Sequence, residues 1–105
     1  MEKENLQEMA CCCRMKAQAR SEESVRKLEN RINRMIGQLG GIRTMLHENR
    51  YCGDILMQVA AVESALQNLG YIILEEHMAT CVSEEIRAGN AEIIRETMDL
   101  VKKLK

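Results

Sequence analysis

The chain has 105 residues, 46% hydrophobic and 30% charged, with a formal net charge of −1, no proline and only two aromatic residues, Tyr51 and Tyr71. That length suits one small domain, and a core without Phe or Trp must be built from Leu, Ile, Val, Ala and eight Met, a mixture that favours helices over strands. No run is apolar enough to span a membrane and the polar N-terminus does not read as a signal peptide; in a chain expected to be cytoplasmic, five cysteines point to metal or redox chemistry before disulfides.

Residues 1–20 show no sustained apolar period and read as a flexible tail carrying Cys11, Cys12 and Cys13; residues 21–105 read as a single helical domain. Ser21 is a good N-cap, and Glu22 and Glu23 follow it at the positive end of a helix dipole. Val25, Leu28, Ile32, Met35, Leu39, Ile42 and Leu46 then alternate spacings of three and four, which predicts a first helix with a coiled-coil-like seam. Gly37, Gly40 and Gly41 each weaken such a helix by about 1 kcal/mol relative to Ala, so close backbone packing is expected around them. The stretch "HENRYCGD" predicts a short turn. A second seam, Ile55, Val59, Val62, Leu66, Leu69, Ile73 and His77, predicts a helix from about Tyr51 to the mid-80s. "RAGN" supplies a Gly stop and an Asn cap for a shorter third helix, with Ile94, Met98, Val101 and Leu104 as its apolar face. The class is all-α, a three-helix protomer too small to bury much by itself, and oligomerisation is expected.

Charge is unevenly distributed. Residues 14–50 carry nine Lys or Arg against four acids, whereas residues 51–105 carry five against nine. Within the first helix Lys27, Arg31, Arg34 and Gln38, spaced four, three and four, form a second stripe beside the apolar seam. A strip of this kind suits phosphate neutralisation, and Arg and Gln can also read base edges. An ordinary solvated helix face has the same look.

"EEHMATC" places His77 and Cys81 four residues apart, on one face of a helix. Two such ligands can grip a metal but need at least one more, and Cys52 is the remaining donor in the folded part. On a straight helix Cys52 and His77 are separated by roughly 38 Å, so one chain cannot close the site. Two copies of the second helix lying antiparallel can, with a symmetry point near Ala65 and Leu66 where Ala60, Ala61 and Ala65 permit close approach. Each site would then take Cys52 from one chain and His77 with Cys81 from the other, in the isologous two-fold arrangement that is commonest among dimers. The plain alternatives are a surface or capping His and small core Cys residues.

The run "NRINRMIGQLGGIRTML…RYCGDILMQVAAVESAL…LEEHMATCV…AG" resembles the CsoR/RcnR family of metal-responsive repressors, over roughly residues 25–101. The resemblance implies a three-helix protomer forming an antiparallel dimer through the first two long helices, paired into a dimer of dimers. It also implies a trigonal Cu(I) site of Cys52, His77 and Cys81 bridging two chains. Two thiolates and an imidazole are a soft, low-coordinate set suited to Cu(I), whereas a structural zinc wants a fourth ligand. The nickel and cobalt branch uses more histidines than His77 and His47. The formaldehyde branch lacks the second Cys and the persulfide branch lacks the His. By the same resemblance Tyr51 and Glu96 stand around the metal-bound histidine, Glu96 as an acceptor for its second ring N–H.

Family members contact operator DNA through the first helix and the tail, which assigns Lys27, Arg31, Arg34 and Gln38 to that role by resemblance. Two departures bear on DNA affinity: Gly40 stands where many members have Arg, and Glu63 where they are often basic or neutral. The expected function is therefore a cytoplasmic Cu(I)-responsive repressor, not an enzyme, with double-stranded operator DNA and further copies of itself as partners. The alternatives are a thiol-rich copper buffer or chaperone without DNA binding, or a sensor of another metal, formaldehyde or persulfide.

Overall fold

The computed structural model describes residues 19–104; Cys11, Cys12 and Cys13, with most of the expected tail, lie outside the described residues. Four α-helical segments follow in chain order: α1 (Glu22–His47), α2 (Cys52–His77), α3 (Ser83–Arg87) and α4 (Glu92–Lys103). A π-helical turn, Met78–Val82, joins α2 to α3, and the backbone stays in the right-handed helical region at His77 and Ser83 on either side of it. The expected second helix is thus α2, the π turn and α3 in succession, and no strand occurs among the described residues. Two compact units divide the chain, one of Arg20–Gly70 and one that contains 71–104.

In the first unit α1 begins as its sequence predicts. Ser21 is the N-cap, and its Oγ accepts a hydrogen bond from the Ser24 backbone N–H at 3.0 Å. The helix ends in a Schellman arrangement: Arg50 N–H donates to the Met45 carbonyl and Asn49 N–H to that of Leu46. Asn49 takes the left-handed conformation this closure demands, with φ 55°. Met35 is the buried residue of the α1 seam and Leu28 and Ile42 are half-buried, while Val25, Ile32, Leu39 and Leu46 remain exposed. The exposed four recur every seven residues, so the seam presents an unpartnered stripe within one chain. The glycines depart from expectation. A Cβ at Gly37, Gly40 or Gly41 would meet nothing within 4 Å, so among the described residues no close packing within the protomer compensates their helix-weakening effect.

In the second unit the packing centres on the π turn. Cys81 and Val82 are buried there, and α4 lies against it with Ile93 (0% exposed) and Thr97 (4%) facing inward. This corrects the first half of the expected face of the last helix: Ile94 and Met98 are exposed and Ile93 and Thr97 are buried in their place, while Val101 and Leu104 are half-buried. "RAGN" also acts differently from its sequence reading. Gly89, with φ 92°, closes α3 as expected. Asn90, however, donates its backbone N–H to the Glu85 carbonyl and its Nδ2 to Glu85 Oε1 at 2.7 Å. Its side chain therefore finishes the preceding helix, and α4 starts from Ala91 with no side-chain cap.

Candidate metal centre

His77 is the last residue of α2 and Cys81 the fourth residue of the π turn. Two hydroxyls bond the backbone around the widened turn. Thr80 Oγ1 donates to the Glu76 carbonyl at 2.8 Å, a back-bond that bends helices, and Ser83 Oγ donates to the Met78 carbonyl at 3.2 Å. Turns of this kind occur often at functional sites. Cys81 is a reduced thiol, 5% exposed, with Thr80 Oγ1 3.8 Å from its sulfur. His77 is half-buried.

The histidine is held from α4. Thr97 Oγ1 and His77 Nε2 are 3.3 Å apart, and the direction of that hydrogen bond follows the ring tautomer. Sequence reasoning passed over Thr97, because a threonine is neither a ligand nor an apolar core residue; its i, i+4 relation to Ile93 was the available signal. Glu96, expected to contact the histidine, is the neighbouring residue on α4 and is half-buried.

Cys52 and Tyr51 belong to the first unit, and His77, Cys81, Glu96 and Thr97 to the second. Cys52 is the first residue of α2, free and exposed. Tyr51 is 75% exposed, and its ring folds back over Gly53, where a Cβ would collide with it. Any side chain at Gly53 would turn this exposed ring aside. Among the described residues no three His, Cys, Asp or Glu side chains gather into a metal site within one chain. The pair His77 and Cys81 supplies one borderline and one soft donor.

On α1 the basic stripe is exposed at Lys27, Arg31 and Arg34, while Gln38 is half-buried. Lys27 Nζ lies 3.7 Å from Glu23 Oε2 one turn earlier, an exposed pair worth no more than about 1 kcal/mol. No ion pair involves Arg31 or Arg34 among the described residues, so both guanidinium groups face solvent unneutralised.

A helical fold, without a strand among the described residues, that carries a His/Cys pair and an exposed basic helix has the make-up of a metal-linked regulator. The family model described as metal-sensitive transcriptional repressor matches residues 24–103, and the chain belongs to that family. It is 41% identical over 78 residues to the copper-sensing transcriptional repressor CsoR of Bacillus subtilis strain 168, covering 73% of this chain and 77% of the relative. The copper-sensing repressor CsoR with Cu(I) from Geobacillus thermodenitrificans superposes with a TM-score of 0.77 at 39% identity, over 82% of this chain and 91% of that one. The nickel-responsive transcriptional regulator InrS superposes with a TM-score of 0.69 at 37% identity, over 84% of this chain and all of the other. The family is one of repressors, not of enzymes.

Proposed function

We propose that this protein is a copper(I)-responsive transcriptional repressor, which holds operator DNA when metal-free and releases it on binding Cu(I). The observation that carries the reading is the pairing of half-buried His77 with buried Cys81 around one π turn, in a chain 41% identical to a copper-sensing repressor. Cys52, exposed at the start of α2, completes the donor set from a second protomer, giving two thiolates and one imidazole. That set is soft and low in coordination number, and suits Cu(I) better than zinc or nickel. The only other histidine, His47, is exposed at the end of α1. When bound, the ion would link two chains and give each protomer a stake in its neighbour's conformation.

The exposed stripe Val25, Ile32, Leu39 and Leu46 supports a homo-oligomer, since an apolar row of this period is stable only when covered. An antiparallel dimer through α1 and α2, paired into a tetramer, would cover it. Lys27, Arg31, Arg34 and Gln38 form the operator-binding strip, with Arg31 and Arg34 as its strongest members because both are exposed and unneutralised. No helix among the described residues is long and apolar enough to cross a membrane, and the protein acts in the cytoplasm where its operator lies. A coupling of about 1–3 kcal/mol between copper and DNA suffices to change occupancy severalfold or more.

The deciding experiment is a mobility-shift titration on the DNA upstream of the protein's own reading frame, over a series of salt concentrations, with and without Cu(I). Repression requires salt-sensitive binding by the metal-free protein that weakens with copper. Tight copper uptake with no DNA binding at any salt would make the protein a thiol-rich copper buffer instead.

A further inference from the structure

Gly37, Gly40 and Gly41 stand together in the second half of α1, and nothing within the protomer requires glycine at any of them. None has a positive φ, and a Cβ at each would meet nothing within 4 Å, so alanine fits all three positions. Relative to alanine, each glycine eases local opening of the helix about fivefold through the backbone freedom it regains. Packing does not offset this. Met35 is buried just before the glycines and Ile42 is half-buried just after them, but no residue from 36 to 41 is buried, and Ile36 and Leu39 are exposed. Thr44 Oγ1 donates to the Gly40 carbonyl at 3.2 Å, and a hydroxyl bonded to the carbonyl four residues back loosens and bends a helix. The two ends of α1 are held, by the Ser21 cap at the start and by the Asn49 and Arg50 N–H groups at the close. The weak stretch lies between two functions. Lys27, Arg31 and Arg34 are exposed on its N-terminal side, and on its C-terminal side α1 ends at His47, from which residues 48–51 lead to Cys52.

We propose that Gly37–Gly41 is a compliant joint, which divides α1 between the operator strip and the turn leading to Cys52 and limits how much of copper's effect passes along the helix. This rests on the reading of the protein as a Cu(I)-responsive repressor with Cys52 as a copper donor. Coupling between distant sites is carried well by elements that move as rigid bodies, whereas a joint that flexes absorbs displacement a stiff helix would pass on. The backbone hydrogen bonds that cross the joint are those from the N–H groups of residues 41–45 to the carbonyls of 37–41, and their exchange with solvent reads its opening directly.

The test compares the full wild-type chain with a triple variant, Gly37→Ala, Gly40→Ala and Gly41→Ala combined. Amide hydrogen exchange is measured on the metal-free proteins, Cu(I) affinity by competition with a chelator, and operator affinity by gel shift with and without Cu(I). In wild type the amides of residues 41–45 are expected to be protected about tenfold or more less than those of 30–36. The triple variant is expected to raise their protection about a hundredfold, roughly fivefold for each glycine replaced. Its Cu(I) affinity in the absence of DNA should match wild type, while the copper-induced loss of operator affinity grows about threefold or more. Even protection along α1 in wild type overturns the inference, and so does a stiffened variant whose copper-induced loss is unchanged or smaller. A triple variant that does not fold or assemble as wild type does would mean that the glycines make room for a neighbouring chain, and also overturns it. A wild-type chain with no copper-sensitive DNA binding would sink the repressor reading and the coupling claimed here together, whereas failure of the joint alone appears in a protein that still releases DNA on binding copper.

Discussion

The most exposing perturbation is to split the ligand set between two kinds of chain. Cys52 begins α2 and His77 ends it, so a site shared between chains takes its two thiolates from different protomers. A homodimer of Cys52→Ala chains then lacks one thiolate at both sites, and so does a homodimer of Cys81→Ala chains. In a mixed dimer the Cys52→Ala chain still offers His77 and Cys81, and the Cys81→Ala chain still offers Cys52. One site is rebuilt intact, while the other loses both thiolates. The purified mixed dimer should hold one tight Cu(I), half the number in wild type. With equal, random exchange about half of all dimers are mixed, so an unfractionated mixture should reach about one quarter of a copper per protomer. The assay is chelator-competed Cu(I) titration of differently tagged chains, followed by X-ray absorption to confirm two sulfur ligands and one nitrogen. An intrachain site is never rescued by mixing. A mixed dimer that binds no better than its parents would refute the shared site and the antiparallel pairing of α2 with it.

Two further outcomes follow from other parts of the molecule. Arg31→Ala and Arg34→Ala should each weaken operator binding and flatten its salt dependence by about one counterion, with Cu(I) affinity unchanged; gel-shift titrations at several salt concentrations read both effects. Ile93→Ala removes the one large side chain fully enclosed among the described residues and should cost about 2–5 kcal/mol of stability, seen as a lower melting temperature at fixed protein concentration. A loss below about 1 kcal/mol would mean that α4 is not anchored through Ile93.

Much of this architecture is legible in the sequence because local chemistry and long periods announce it. Ser21 caps α1 through its own hydroxyl, Gly89 ends α3 in the conformation glycine tolerates best, and the apolar periods mark α1 and α2. What stays hidden depends on neighbours that sequence spacing cannot reveal. Asn90 looks like a cap for α4 but its amide is taken by Glu85. Ile94 and Met98 are the apolar pair that the sequence offers for the start of that face, yet contact with the π turn selects Ile93 and Thr97, because burial follows what lies opposite. For the metal centre, ligand-type residues draw attention by chemistry, while Thr97 stands out only once α4 is seen beside His77. The π turn itself is a single widened loop, too short for any periodicity to register.

That turn changes how the ligand motif should be searched for. A π turn is in effect an α-helix that has absorbed one extra residue locally, leaving the flanking helix in phase. In a regular α-helix, residues four apart differ in bearing by about 40° in one sense, whereas across a π turn the difference is roughly 30° in the other. A relative without the extra residue would carry His-x2-Cys on an unbroken helix, with its two donors within about 30° of the bearings that His77 and Cys81 have here. A pattern that insists on His-x3-Cys would score such a relative as having lost its sensor, although its donors point almost the same way. Since helix geometry allows the direction to be kept while the count changes, an alignment should be free to place a one-residue gap inside Met78–Val82.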